Sequence, residues 1–227
     1  MNNTWVIIPV KPLRLAKSRL SSVVTPEQRQ RFAETMLRHV LQVVRSVPQV
    51  KGTLVISRDN RALAISRDYG AKTVQESGSP ELNAALMRAT QIIQSWSSGA
   101  VLILPADLPL IEPQDITEIL RLGESPVSVV LSTDGHEDGT NAMFIRPPGL
   151  IEYAYGEGSF RRHLDMAYEA GAQVHVYKSS RLQLDIDLPE DIEMFFRLTQ
   201  RDLGATTTIA HAFDVIQAEI ANRISTR

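Results

Sequence analysis

The segment Val101-Leu102-Ile103-Leu104-Pro105-Ala106-Asp107-Leu108-Pro109 decides how the rest of the chain is read. Four consecutive apolar residues with no polar alternation describe a strand covered on both faces, because alternation is expected only where one face meets water. Asp107 follows three residues later, beyond the strand's carboxyl end, where open α/β sheets collect ligands. A carboxylate there suits a hard cation such as Mg2+, which takes few protein oxygens and completes its shell with water and phosphate. A turn aspartate ahead of Pro109 is the competing account.

Working outward, similar short apolar runs occur at Trp5–Val10, Thr53–Ser57, Val127–Leu131, Ala142–Ile145 and Gln173–Tyr177. Helical patterns separate them, at 26–45, 61–69, 81–96, 113–121, 159–170 and 188–199. Pro26 and Pro113 stand near helix starts, and Gly70, Gly123 and Gly171 follow helix ends, in keeping with their terminal preferences. Strand–helix alternation of this kind predicts an α/β fold: a mostly parallel sheet with helices on both faces.

The 227 residues can bury one substantial core, so one domain with an appendage is expected. A net charge of −2 provides no broad basic surface, which argues against a polynucleotide partner. Cysteine is absent, excluding disulfides, thiolate metal sites and cysteine nucleophiles. The first strand begins at Trp5 with no basic leader and no apolar span, so neither a membrane nor secretion is expected and a cytoplasmic setting fits. The five histidines are scattered, and no Gly-x-Ser-x-Gly elbow, Walker loop or Gly-x-Gly-x-x-Gly fingerprint occurs, which disfavours zinc and serine-triad chemistry.

Three further clusters carry chemistry. In Leu184-Asp185-Ile186-Asp187-Leu188-Pro189-Glu190-Asp191, extended geometry turns Asp185 and Asp187 to one side and Ile186 to the core. Adjacent carboxylates repel unless a cation lies between them. Alternatively Asp187 caps the next helix, with Glu190 completing a capping box; that reading accounts for Asp187 but leaves Asp185 unexplained. In Asp138-Gly139-Thr140-Asn141 and Gly156-Glu157-Gly158-Ser159-Phe160-Arg161-Arg162-His163, two glycines permit close backbone approach. Ser159 there opens a helix whose free N–H groups favour an anion. An ordinary cap on a mobile loop is the alternative, and His163 reads as a packing or surface residue. Between Lys11 and Arg19, directly after the first strand, Lys11, Arg14, Lys17 and Arg19 put four cations in nine residues, enough to neutralise a triphosphate, against the alternative of a solvated basic loop.

Taken in order, Pro9–Leu13, Ala16–Leu20, Pro105–Pro109, Gly139–Ala142, Gly158–Phe160 with His163, and Asp185–Asp191 resemble the phospholactate/phosphoenolpyruvate guanylyltransferase family of coenzyme F-420 biosynthesis. The resemblance spans residues 5 to about 199. It implies a nucleotidyltransferase fold related to the nucleotide-diphospho-sugar transferases, with GTP and a small phosphorylated acid as substrates and pyrophosphate as a product. By the same resemblance Asp107, Asp185 and Asp187 look like metal-binding acids and Thr140, Gly156 and Ser159 like contacts to phosphoenolpyruvate. Lys11, Lys17, Arg19, Glu81 and Asn83 resemble the nucleotide side of the site, with Lys17 and Arg19 the catalytic cations. A nucleotidyltransferase for molybdopterin or a sugar phosphate, or a non-catalytic nucleotide-binding module, remains the alternative.

Residues 1–201 are thus expected to form the catalytic domain and 202–227 a helical extension. In the latter, Ile209, Phe213, Ile216 and Ile220 fall at spacings of three and four. An apolar stripe on so short a helix needs cover, from the catalytic domain or from a second subunit in a homodimer.

Overall fold

The computed structural model describes residues 3–22, 24–77, 81–187, 190–192, 194, 195 and 197. Among them are seven strands, β1 (Thr4–Val10), β2 (Val50–Ser57), β3 (Lys72–Gln75), β4 (Ala100–Ile103), β5 (Ser128–Thr133), β6 (Thr140–Arg146) and β7 (Gln173–Val176). The helices are α1 (Pro26–Arg45), α2 (Asn60–Asp68), α3 (Leu82–Ser95), α4 (Pro113–Leu122), α5 (Ser159–Glu169) and α6 (Ser180–Gln183). The strands form one sheet in the order β3-β2-β1-β4-β6-β5-β7.

Strand direction decides where the site forms. β1 pairs in parallel with β2 and β4, β2 with β3, and β5 with β7. β6 alone runs against its neighbours β4 and β5. The sheet is therefore mostly parallel, as expected, and one edge gathers the carboxyl ends of six strands together with the amino end of β6. Thr140, the first residue of β6, reaches that edge because the strand is reversed.

Alternation along each strand divides the core in two. Val6, Ile8, Leu102, Leu104, Val130 and Phe144 pack on one face against α1, α2 and α4. Trp5, Ile7, Val101, Ile103, Val129 and Ile145 pack on the other against α3 and α5. Both faces are dry, which is why these strands read as continuous apolar runs. Gly123, just past α4, lies so close to the Phe144 ring that a Cβ there would meet it.

Local chemistry places the helix starts. Pro26 opens α1 behind Thr25, whose hydroxyl accepts from Gln28 N at 3.3 Å while Gln28 Oε1 accepts from Thr25 N at 2.7 Å, a reciprocal cap. Asp59 caps α2 through Arg61 N (2.8 Å) and Ala62 N (3.4 Å) and with its other oxygen takes Leu13 N at 2.7 Å. One carboxylate thereby ties the loop after β1 to the end of β2.

A third apolar cluster joins Leu20 and Val24 to Phe32 and Met36 of α1 and to Leu184, Ile186, Ile192 and Phe195. Each such side chain contributes about 1.5–3 kcal/mol when buried. This cluster clamps the loop after β1 against the segment carrying Asp185 and Asp187.

The structure corrects the sequence reading at several places. β3 was not anticipated: it has four residues, with exposed ends, too short for a periodic signal. α6 escaped for the same reason, and the basic loop holds two 3-10 turns, Leu13–Leu15 and Ser18–Ser22. Within the expected helix at 188–199, residues 190–192, 194, 195 and 197 are helical; the rest of it, the 201/202 boundary and the striped tail lie outside the described residues. No helix among the described residues is long and apolar enough to cross a membrane.

Candidate active site

A cavity of about 560 Å3 opens at the gathered strand ends, within the range of small-molecule sites. Lys11, Lys17 and Arg19 line it beside Asp107, Asp185 and Asp187, with Glu81 and Thr140 also on the wall. The loop after β1 is a solvated basic loop only in part: Lys11, Arg14 and Arg19 are exposed and Arg14 stands off the cavity, whereas Lys17 is buried. Leu13 and Leu20 are fully buried at its two ends, and Lys17 between them adopts a left-handed backbone, φ 55°, a conformation that costs a non-glycine residue and needs the surroundings to enforce it.

That turn sends the Lys17 ammonium inward, where its side chain is 5% exposed. Nζ donates to Asp107 Oδ2 at 2.6 Å and to Asp187 Oδ1 at 3.1 Å, bridging two carboxylates 80 residues apart in sequence. Burial alone would lower the Lys17 pKa, but Asp107 and Asp187 outweigh it and hold the amine charged, above its ordinary value. Arg19 Nη1 reaches Asp187 Oδ2 at 3.5 Å from an exposed position.

Asp185 and Asp187 flank Ile186, which is fully buried, so the expected alternation is present. Their electrostatics diverge. Burial first, then repulsion by Asp107 and Asp187, pushes Asp185 up to about 6 despite Lys17. For Asp187 burial is again the largest effect and raises the pKa, but Lys17, Arg19 and Lys11 together hold it below the usual carboxylate range. The capping alternative is modified: Asp187 N donates to Asp191 Oδ2 at 2.8 Å, the reach-back expected of Glu190, while both Asp187 carboxylate oxygens face cations.

Asp107, Asp185 and Asp187 are the residues of this cavity that could hold a hard cation, with Lys17 already paired to Asp107 and Asp187. Three carboxylates line one cavity, and burial followed by repulsion from Asp107 and Asp187 disfavours the charged form of Asp185. Among the described residues no three His, Cys, Asp or Glu side chains stand close enough together to hold a metal ion by themselves. A cation held here would need phosphate or water oxygens to complete its shell.

Buried polar ties hold the acidic segment. Asp115 of α4, fully buried, accepts from Ser179 Oγ (2.8 Å), Tyr177 OH (3.0 Å) and Arg181 Nε and Nη2 (2.8 and 2.9 Å). Asn141 Nδ2 donates to Leu182 O at 2.8 Å. Both anchor the path from β7 through α6 to Asp185.

The anion cradle expected at Ser159 is occupied by the chain itself. Gly158 N donates to Asp138 Oδ2 (3.0 Å), Phe160 N to Asp138 O (2.9 Å) and Ser159 N to Gly156 O (3.0 Å). Of the three residues grouped there from the sequence, Thr140 lines the cavity; Gly156 and Ser159 stand behind it. Gly156 has φ 131°, a backbone that needs glycine, and the Ser159 side chain is buried against Thr140, to which it donates at 3.3 Å.

Glu81 borders the cavity just before α3 and its carboxylate makes no cap bond. Asn83, expected beside it, is not on the wall: its amide is committed to Tyr155, accepting from N at 2.8 Å and donating to O at 3.4 Å. It presents Tyr155, which does line the cavity. The sequence reading also passed over Arg58 and Glu76, both on the wall. Each directly follows a parallel strand, β2 or β3, so the strand-end rule that found Asp107 could have found Arg58; Glu76 was hidden because β3 was.

Residues 4–201 match the family model described as "Guanylyl transferase CofC like". The phosphoenolpyruvate guanylyltransferase of Rubrobacter xylanophilus is 40% identical over 191 residues, 84% of this chain and 92% of that one. The 2-phospho-L-lactate guanylyltransferase of Methanocaldococcus infernus is 33% identical over 190 residues, 84% and 83% of the two chains. Among solved structures, a nucleotidyl transferase from Methanothermobacter superposes with TM-score 0.65 at 14% identity, over 88% of this chain and 99% of that one. The 4-diphosphocytidyl-2C-methyl-D-erythritol synthase of Anaerococcus prevotii gives 0.59 at 12%, over 87% and 96%. At these identities the structures speak for the fold.

Proposed function

The chain belongs to the CofC-like guanylyl transferase family, and on that premise we propose that it transfers GMP from GTP to phosphoenolpyruvate, or to 2-phospholactate, in coenzyme F-420 biosynthesis. The two acceptors are those for which relatives are named. The non-catalytic and molybdopterin or sugar-phosphate alternatives are not favoured by this membership.

The observation that carries the reading is the meeting of Lys11, Lys17 and Arg19 with Asp107, Asp185 and Asp187 in one cavity that Thr140 also lines. An acid phosphate is ionised near neutral pH, so its oxygen attacks the α-phosphorus without a general base. A P–O bond forms there as the bond to the β-phosphate breaks, and pyrophosphate departs with the electron pair. The difficulty lies in bringing two anions together and in charge developing on the leaving group, which fixed cations relieve. Lys11 and Arg19, exposed on the cavity wall, serve the triphosphate; Lys17 keeps the acids from repelling one another. Asp107, Asp185 and Asp187 would hold Mg2+, which when bound neutralises phosphate oxygens. Thr140 receives the acid, with Ser159 behind it bonded to the Thr140 hydroxyl and Gly156 in the turn that leads to Ser159.

Pyrophosphate release measured with each of the four nucleoside triphosphates against phosphoenolpyruvate, 2-phospholactate and 3-phosphoglycerate tests this. Release restricted to GTP with one of the first two acids is expected. Release with another nucleotide, or only with 3-phosphoglycerate, would overturn it.

A further inference from the structure

We infer that His163 is a positioning residue that makes the Thr140 hydroxyl a fixed hydrogen-bond donor to the acidic substrate. The inference rests on the proposed placement of that substrate beside Thr140.

His163 lies on α5 and is fully buried, with the Tyr155 ring edge-on at 4.9 Å between centroids. Its ring bridges two groups. Ala154 N lies 2.9 Å from Nε2, and a backbone N–H only donates, so Nε2 must carry the lone pair. The neutral ring's proton then sits on Nδ1. Nδ1 is 2.9 Å from Thr140 Oγ1, so the ring donates and Thr140 accepts. Ser159 Oγ donates to the same oxygen at 3.3 Å.

A hydroxyl oxygen accepts two hydrogen bonds and donates one. With both acceptor positions filled from the protein side, the Thr140 proton has no inward acceptor and points to the cavity that Thr140 lines. The substrate's carboxylate and phosphate present only acceptor oxygens, so this polarity selects an acid. The arrangement requires an uncharged ring, and burial, assisted by Arg162, lowers the His163 pKa to about 4.

The two ring nitrogens have different jobs, which a pair of variants separates. In His163→Gln the side-chain carbonyl can still accept from Ala154 N, but the donor to Thr140 is lost. In His163→Asn the amide N–H replaces Nδ1, and the acceptor for Ala154 is lost. With full-length protein, steady-state kinetics and thermal melting should therefore cross over. His163→Gln should raise the KM for the acid about tenfold with the KM for GTP unchanged, the order expected for a hydrogen bond to a charged group; His163→Asn should melt lower while keeping the acid KM within about threefold of wild type.

Thr140→Val distinguishes the inference from its premise. If Thr140→Val raises the acid KM but both His163 variants shift it equally, or neither does, the positioning role is overturned and the substrate placement stands. If Thr140→Val leaves the acid KM unchanged, placement and inference both fall. Should His163→Gln not fold, Ser159→Ala removes the other inward donor and must raise the acid KM selectively; an unchanged value overturns the inference.

Discussion

Asp185→Asn should stabilise the metal-free protein while nearly abolishing its activity. Asp185 is pushed from 3.8 to about 6 by burial and by Asp107 and Asp187. Because the folded-state pKa is raised, the native state binds more protons than the unfolded chain between those two values, and stability falls as pH rises through the window. At about 1.4 kcal/mol per tenfold change in affinity, the full gap corresponds to about 3 kcal/mol at pH 7. Partial solvent contact reduces this to about 1–2 kcal/mol. An uncharged isostere avoids the penalty, so melting in EDTA at pH 7 should shift up by about 3–6 °C for a chain of this size. The advantage should vanish near pH 4, where the wild-type carboxyl is protonated. Added magnesium should stabilise the wild type more than the variant. A variant no more stable than wild type at pH 7, or equally stabilised at pH 4, would refute the charge deficit on which the metal proposal leans.

Other outcomes follow from the same geometry. Asp107→Asn or Asp187→Asn should lower kcat by about two orders of magnitude or more, the effect of a lost metal ligand; near-normal turnover in limiting magnesium would count against them. Lys17→Met should destabilise the metal-free protein by about 1–3 kcal/mol, since it strands carboxylates that are partly solvated, as denaturant titration would register. Asp115→Ala should cost about 1–3 kcal/mol by removing the acceptor of Ser179, Tyr177 and Arg181, the last of which keeps only Glu112 and partial contact with water, with the loss seen in melting rather than in the KM of either substrate. His163 titrates in the opposite sense to Asp185: its folded pKa is lowered to about 4, so it favours stability that is lost as pH falls from about 6.5. Between pH 4 and 6 the two effects oppose in the wild type, so stability should rise with pH in Asp185→Asn and fall with pH in His163→Gln, as melting across that range would detect.

What the sequence disclosed depended on the length and continuity of its signals. The long apolar runs around Val101 and the 20-residue α1 were legible because both their faces, or one whole stripe, are buried. β3 and α6, four residues each, leave no period to detect. Asp107 was legible through its offset from a strand, and the Asp185/Asp187 pair through alternation. That Lys17 joins them was not, because its inward turn depends on a left-handed backbone and on the distant Leu20–Ile186 packing. Ser159 was read as an open helix start, but Asp138, 20 residues before Gly158 in sequence, already fills it. Thr140 arrives at the ligand edge only because β6 is reversed, a property of pairing rather than of local sequence.

The most direct test of the central claim is 31P nuclear magnetic resonance of the purified protein with GTP, phosphoenolpyruvate and magnesium. The account predicts equal growth of free pyrophosphate and of a new unsymmetrical diphosphate pair, with both signals absent when EDTA or Asp187→Asn protein is used. Loss of the GTP signals without the acid, or orthophosphate in place of pyrophosphate, would contradict it.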